Sequence, residues 1–422
     1  MKSTFWVLVE TCSTIGFQFL SIVVLSRILT PRDYGVFGMM AIFIAIGNML
    51  VDSGMGGALI KKRNATDTDY STLFCFNLIV SLAFYALLFL SSNYVANIYG
   101  VAELSNCLRI YGLFIIISAV GIVQYVQMLK ELRYQEIAII SIVANIIAFV
   151  ITIYLANQGW GYWALIIQHL AFILLRVLGQ FMVNHYIPTL SFSKQSFKEQ
   201  FSFGGSILLS NLLSTIYGNI TSTIIPKIST LTQNGYYVQA AKIQGVPVSI
   251  LTMVSDKLIF PVISKQPTQE AILAKSRRLC HWGMLACCIL VTTFLFCSRP
   301  LILLFLGEKW LPALPFLQVL FLAAYGVAFI VIERNIIKAI GRTSLILKIA
   351  FYKSIVGLSI IFLSSLWGIM GILWGFVISS IIVSLISACV IHKNTAYSAK
   401  QQLSDVRLSL FFPVISFIYV LL

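Results

Sequence analysis

The chain has 422 residues, 59% of them hydrophobic and 10% charged, where an ordinary soluble domain carries roughly 25% charged residues. So little charge cannot cover the surface of a water-soluble fold of this size, which excludes an ordinary soluble enzyme or binding module. The formal charge of +15 is scattered over short polar segments and not gathered into a patch, which excludes a nucleic-acid partner as well.

Apolar runs of roughly 18 residues or more mark membrane spans, and in lipid such runs must be helices, because only a helix satisfies its own backbone within the segment. The runs predict helices at about 5–29, 36–59, 70–92, 108–128, 137–156, 161–183, 201–225, 236–260, 280–298, 313–333, 347–366 and 370–391. A partial thirteenth is expected at 408–422, lying on the membrane or re-entering it. The expected class is therefore an all-α integral membrane protein with twelve transmembrane helices and a possible partial extra one. The first run is about twice the length of a signal-peptide apolar region and lacks an early small-residue cleavage site, so it reads as a span that stays.

Charge inside a span is expensive and marks function by default. On the first helix, Glu10, Thr14 and Ser21 fall within about 40° of one another, one polar stripe, with Arg27 near the outer end. His169 and Arg176 share a face of the sixth. The seventh is unusually polar, with Ser206, Ser210, Ser214 and Gly218 every fourth residue beside Asn211 and Asn219. That pattern serves close helix packing or a cavity lining equally well. The eighth carries Lys242, Ser249 and Asp256 on one stripe, with Pro247 between them as a kink or break. Arg27, Lys227 and Arg109 lie near span ends, where long basic side chains snorkel to the interface; Asp52, Glu333 and Arg334 also lie near ends. Arg176 and Lys242 resist that reading. They point to inward-facing cations suited to a diphosphate, with Arg27 and Lys227 as further contributors to that cationic cavity, Glu10 and Asp256 as a proton relay or ion-pair partner, and Thr14, Ser21, Ser210, Asn211, Ser214 and Ser249 as polar cavity lining.

The four histidines (His169, His185, His281 and His392) are isolated, no phosphate-cradling glycine loop is present, and no carboxylates stand at metal-binding spacing. No metal, cofactor or catalytic constellation is expected, and the chain reads as no enzyme. The eight cysteines read as small packing residues.

Basic residues crowd alternate loops: Lys61, Lys62 and Arg63; Lys130 and Arg133; Lys194 and Lys198; Lys265, Lys275, Arg277 and Arg278; Arg334, Lys338 and Arg342; Lys393, Lys400 and Arg407. The opposite loops hold only Arg32, Lys227, Arg299 and Lys309. By the positive-inside rule the crowded side, with the N-terminus, is cytoplasmic. A weak repeat at an offset of 200 residues pairs Arg27–Thr30 and Gly35 with Lys227–Thr230 and Gly235. Both copies sit where an outward helix ends, so the repeat is parallel. It divides the chain into six-helix lobes at 1–190 and 195–395, related by a pseudo-twofold axis, with 408–422 outside them.

Five segments in order resemble one family. Leu25–Gly35 (LSRILTPRDYG) is similar to the end of helix one, and Asp52–Ile60 (DSGMGGALI) to the end of helix two, in bacterial polysaccharide (O-antigen or exopolysaccharide repeat-unit) flippases, Wzx type, of the multidrug/oligosaccharidyl-lipid/polysaccharide (MOP) exporter superfamily. Phe260–Ser264 (FPVIS), Leu306–Trp310 (LGEKW) with Pro315–Gln318 (PFLQ), and Lys338–Thr343 (KAIGRT) resemble later loops of the same family. The resemblance implies a V-shaped MOP fold whose helices one and seven line a central, often cationic cavity. It implies flipping of undecaprenyl-diphosphate-linked oligosaccharide from the cytoplasmic to the outer face of the bacterial inner membrane by alternating access. It also implies membrane lipids, a polysaccharide polymerase and a chain-length regulator as partners. Two other functions compete. A cation-coupled drug or small-molecule exporter would share the fold, whereas a membrane polysaccharide polymerase would expose a large outer loop, and no outer loop here exceeds about fifteen residues.

Overall fold

The computed structural model describes residues 2–52, 54–255, 262–263, 268–340, 343–395 and 397–421, and within them leaves aside some side chains, Ser210 among them. The described backbone is helical throughout its ordered elements. In chain order these are α1 (Lys2–Ile28), α2 (Pro31–Met39), α3 (Ala41–Asp52), α4 (Met55–Lys61), α5 (Asp67–Tyr99), α6 (Glu103–Tyr111), α7 (Leu113–Lys130), α8 (Tyr134–Asn157), α9 (Tyr162–Asn184), α10 (Lys194–Ile228) and α11 (Leu231–Val254). Then come α12 (Gln269–Phe296), short turns through Ala313, α13 (Leu314–Ala339), α14 (Thr343–Ser364), α15 (Gly368–Asn394), α16 (Ala399–Val406) and α17 (Phe411–Leu421).

Two compact units divide the chain at Lys227/Ile228. In the first, α1 packs on α8, α8 on α9, α9 on α7, and α7 on α5. In the second, α13 is central and packs against α11, α12, α15 and α17. Small residues permit that density, as helices in lipid gain from close backbone approach more than from apolarity. A Cβ on Gly326 would come within 2.8 Å of the Ser380 backbone on α15. Outside this packing, large apolar side chains point outward: Ile79, Leu87, Leu90 and Phe362 are 63, 62, 80 and 71% exposed. Water would penalise such a surface and lipid does not. This is a multi-pass membrane protein.

Among the described residues, nine helices are long and apolar enough to cross a membrane, or ten if α16 and α17, bent by 64°, make one broken span. The sequence suggested twelve. Part of the difference is continuity, for the two helices expected between 347 and 391 run as a single 47-residue stretch, Lys348–Asn394, turned only at Ser365–Trp367. The rest is polarity: α10 and α11, read as spans seven and eight, mix Ser, Thr, Asn and Gln into their apolar residues and fall outside the set.

The helix expected at 36–59 is three pieces. Thr30 caps α2 through a reciprocal box with Asp33, which moves the start forward to Pro31. Near its other end, Gly54 holds φ +71°, and a Cβ there would meet the Gly204 carbonyl of α10 at 2.8 Å. A left-handed turn in backbone contact with a neighbouring helix requires glycine, which accounts for the glycine in the Asp52–Ile60 segment.

The 200-residue repeat has a structural counterpart. α1 and α10 end at Ile28 and Ile228, and Thr230 caps α11 through the same reciprocal box, with Gln233 in place of Asp33. In the first unit the side chains of the corner go further, since Asp33 Oδ1 also accepts the Tyr162 N–H (3.0 Å) at the start of α9.

Loops that the charge pattern places on one side gather together. Lys62 Nζ bonds Asp69 (3.0 Å) and Glu199 (3.1 Å), Lys130 Nζ donates to the Lys62 carbonyl (2.8 Å), and Gln200 Nε2 donates to the Asp69 carbonyl (3.0 Å). The bonds to Asp69 and Glu199 raise the Lys62 ammonium above the ordinary lysine range, so it stays charged. Arg32 pairs with Glu103 (3.0 Å), and Tyr99 Oη donates to the Thr223 carbonyl (3.1 Å); these belong to the sparsely charged loops.

Candidate functional site

In the first unit, α3, α7 and α9 form an open cleft of about 150 Å³ lined by Asn48, Asp52, Ser118, Gly121, Tyr125, Arg176 and Gln180 among others. Gly121 forms its floor, where a Cβ would lie 2.5 Å from Val177 Cγ2 and 3.2 Å from Gln180 Oε1; the missing side chain lets α7 approach α9 directly beneath the polar groups. Arg176 projects into the cleft with its guanidinium 5.5 Å from the Phe172 ring centre. Its Nε is buried and has no hydrogen-bond partner. Glu10 and Tyr125 lie within electrostatic range of that guanidinium, and Tyr125 is in range of Glu10, Asp52 and Arg176 alike. The cleft thus holds one cation, the Asp52 carboxylate and a phenol, with Glu10 in electrostatic range of the cation, in surroundings where an unpartnered donor is costly.

α1 contributes to this region along its polar stripe. Glu10 is half-buried; Thr14 turns its hydroxyl back to the Glu10 carbonyl (2.9 Å), which satisfies it within the helix. Ser21 accepts from Gln168 Nε2 of α9 (2.9 Å). His169 meets the Tyr111 hydroxyl through Nδ1 (2.8 Å) and packs against the Phe114 ring, so its ring is tied into the core one turn-pair away from Arg176.

The other expected residues lie apart from the cleft lining. Arg27 is exposed in the last turn of α1. Lys227 is exposed in the last turn of α10, its Nζ 5.6 Å from the Tyr99 ring centre. Asn211 and Ser214 are exposed on α10; the Ser210 side chain and Asp256 lie outside the described residues. Lys242 is half-buried and Ser249 exposed on α11, which runs through Pro247 as one helix. Lys242 belongs to the second unit and Arg176 to the first.

Asn48, Asp52, Tyr125 and Gln180 were not singled out by the sequence as site residues. Gln180 carried a signal, for it stands four residues after Arg176 and so on the same face. Asn48 and Asp52 lie on α3 and Tyr125 on α7, and only tertiary packing brings those two helices to Arg176.

The polysaccharide biosynthesis protein family matches residues 24–315. The teichuronic acid biosynthesis protein TuaB of Bacillus subtilis is 26% identical over 426 residues, covering 96% of this chain and 84% of its own. Among solved structures, the lipid II flippase MurJ in an inward closed conformation superposes with a TM-score of 0.78 at 15% identity, covering 99% of this chain and 92% of that one. An inward-facing multidrug resistance MATE family transporter of the MOP superfamily gives 0.68 at 13%, covering 89% and 92%.

Proposed function

This chain belongs to the polysaccharide biosynthesis protein family, and on that premise we propose that it flips undecaprenyl-diphosphate-linked oligosaccharide repeat units across the bacterial inner membrane. Twelve spans in two six-helix lobes, at 1–190 and 195–395 with the N-terminus cytoplasmic, form the alternating-access frame of this reading. The observation that carries it is Arg176: a half-buried guanidinium whose Nε is buried without a partner, lining a polar cleft of a transporter-type fold. A diphosphate offers the oxygens that such a group binds in a bidentate way.

Glu10, within electrostatic range of the guanidinium, sets the condition for that binding. It competes with the ligand for the guanidinium; anion binding displaces its influence, and release of the anion restores it. Such an exchange gives Arg176 two alternative partners, as a two-state carrier requires. Lys242, half-buried on α11, and Arg27 and Lys227 at helix ends are further cations proposed to contact the anion. The function needs no chemical step on the ligand, which agrees with an assignment as a non-enzymatic transporter.

The test is deletion of the gene in a strain with no redundant flippase. Lipid-linked repeat units should accumulate at the cytoplasmic face while surface polysaccharide disappears. Normal surface polymer would overturn the reading, and ethidium efflux that depends on the protein would favour a drug exporter of the same fold.

A further inference from the structure

Glu333 lies within α13 at 3% exposure, and neither carboxylate oxygen has a hydrogen-bond partner. It lines a small cavity with Met284, Phe329, Ile332, Gln402 and Val406, where α16 covers α13. Gln402 is equally buried. Its Nε2 donates to the carbonyls of Tyr397 (2.9 Å) and Ala388 (3.2 Å), which settles the amide's orientation and leaves Oε1 unpartnered. Tyr397, also on the lining, donates its hydroxyl to Asp405 Oδ2 (2.8 Å). Every lining donor is thus committed elsewhere. What remains in an otherwise apolar wall is the two oxygens of Glu333 and Oε1 of Gln402, all acceptors.

Buried acceptors without a donor are strongly unfavourable, and an unpaired buried carboxylate more so. A single proton answers both needs. On Glu333 it removes the charge and creates an O–H donor, and Gln402 Oε1 in the same cavity is an acceptor available to it. A hard metal cation typically takes about six oxygens; beyond these groups only the nearby Ser387 hydroxyl adds one. We propose that Glu333 is a proton-binding site, loaded while α16 covers the cavity and unloaded when α16 lifts.

Besides the bond from Gln402 to Ala388 of α15, the cover is held at Asp405. Arg277 of α12 grips Asp405 of α16 in a bidentate pair, Nε to Oδ2 at 2.8 Å and Nη2 to Oδ1 at 3.1 Å, and His281 Nδ1 lies 2.5 Å from the Asp405 carbonyl. The charged residues and histidines with described side chains on the elements around α13 are Lys242 on α11, Lys275, Arg277, Arg278 and His281 on α12, Lys348 and Lys353 on α14, His392 and Lys393 on α15, and Lys400 and Asp405 on α16. With Arg334 and Lys338 on α13 itself, none of them forms an ion pair with Glu333 among the described residues. The carboxyl thus has no counter-charge among the described residues, and the proton is what neutralises it.

The site itself does not depend on the transport reading; only its use as the coupling ion rests on the proposed flipping. Its test therefore uses stability, not export. The full-length protein in detergent is melted, with tryptophan fluorescence as readout, between about pH 6 and about pH 9, above the ordinary glutamate pKa of about 4.3. The folded protein holds a proton that the unfolded chain has released over this range, so stability must fall as pH rises. The expected result is a Tm that falls by roughly 3 °C or more relative to Glu333→Gln, whose neutral side chain has no proton to lose. In case that variant does not fold, the wild-type protein is treated with dicyclohexylcarbodiimide, which modifies protonated carboxyls in apolar surroundings; an adduct on Glu333 whose yield falls with rising pH is expected. Parallel melting profiles for the two proteins, an adduct yield independent of pH, or a Tm raised by sodium in the wild type but not in Glu333→Gln would each overturn the proton assignment. None of these outcomes bears on whether the chain flips lipid-linked sugar.

Discussion

A guanidinium inside a membrane span is retained against a partner, water or a ligand, and Arg176 meets that condition only in part, with Phe172 beneath it and its Nε open. Truncating it should remove a charge-assisted contact of about 1.5–3 kcal/mol. Arg176→Ala is accordingly expected to slow polysaccharide export about tenfold or more, at unchanged abundance in the membrane. Arg176→Lys should recover only part of the rate, because an ammonium cannot form the forked contact. The same assay on Lys242→Ala examines the second cation. Parental export from both alanine variants at normal abundance would mean that these cations are structural.

At the scale of elements, the 200-residue repeat is a repeat of helix caps. Thr30 and Thr230 each accept from the N–H three residues on, Asp33 (3.4 Å) and Gln233 (3.2 Å), while those side chains return a bond to the cap backbone. Losing such a cap costs about 1 kcal/mol. Thr30→Ala and Thr230→Ala should each lower the melting temperature by a few degrees. As the two caps lie in different units, the double variant should show the sum; a clear departure from additivity would show that the corners communicate. That the two corners match was legible in the sequence because capping is local chemistry. Asp33's further bond to Tyr162 was not, since 129 residues separate them.

Across the whole molecule, loops joined by Lys62, Lys130 and Glu199 belong to the set the charge pattern assigns to the cytoplasm. In the second unit, Arg277 and Asp405 join two loops of that same set. Reporter fusions after Lys62, Lys198 and Arg278 are therefore expected to read cytoplasmic, and fusions after Asn97 and Lys309 external. Reversal at two or more of these sites would dismantle the two-lobe topology.

Helicity, membrane residence and the matching corners at Thr30 and Thr230 were legible in the sequence alone. Each follows from hydropathy, charge or capping over a few residues or one span. Family membership was legible for a related reason, as its motifs are turn segments such as Gly54, whose left-handed φ only glycine adopts readily. The sites were decided by tertiary structure. The helical wheel placed Arg176 beside His169, yet packing hands His169 to Tyr111 and surrounds Arg176 with Asp52, Tyr125 and Gln180 from three helices. Glu333 looked like a residue near a span end, and only the fold of α16 over it leaves its carboxylate buried in one cavity with Gln402, with only the Ser387 hydroxyl near it as a donor among the described residues. Periodicity reports which face of a helix a side chain occupies; which other helix comes to meet that face is a property of the packed chain.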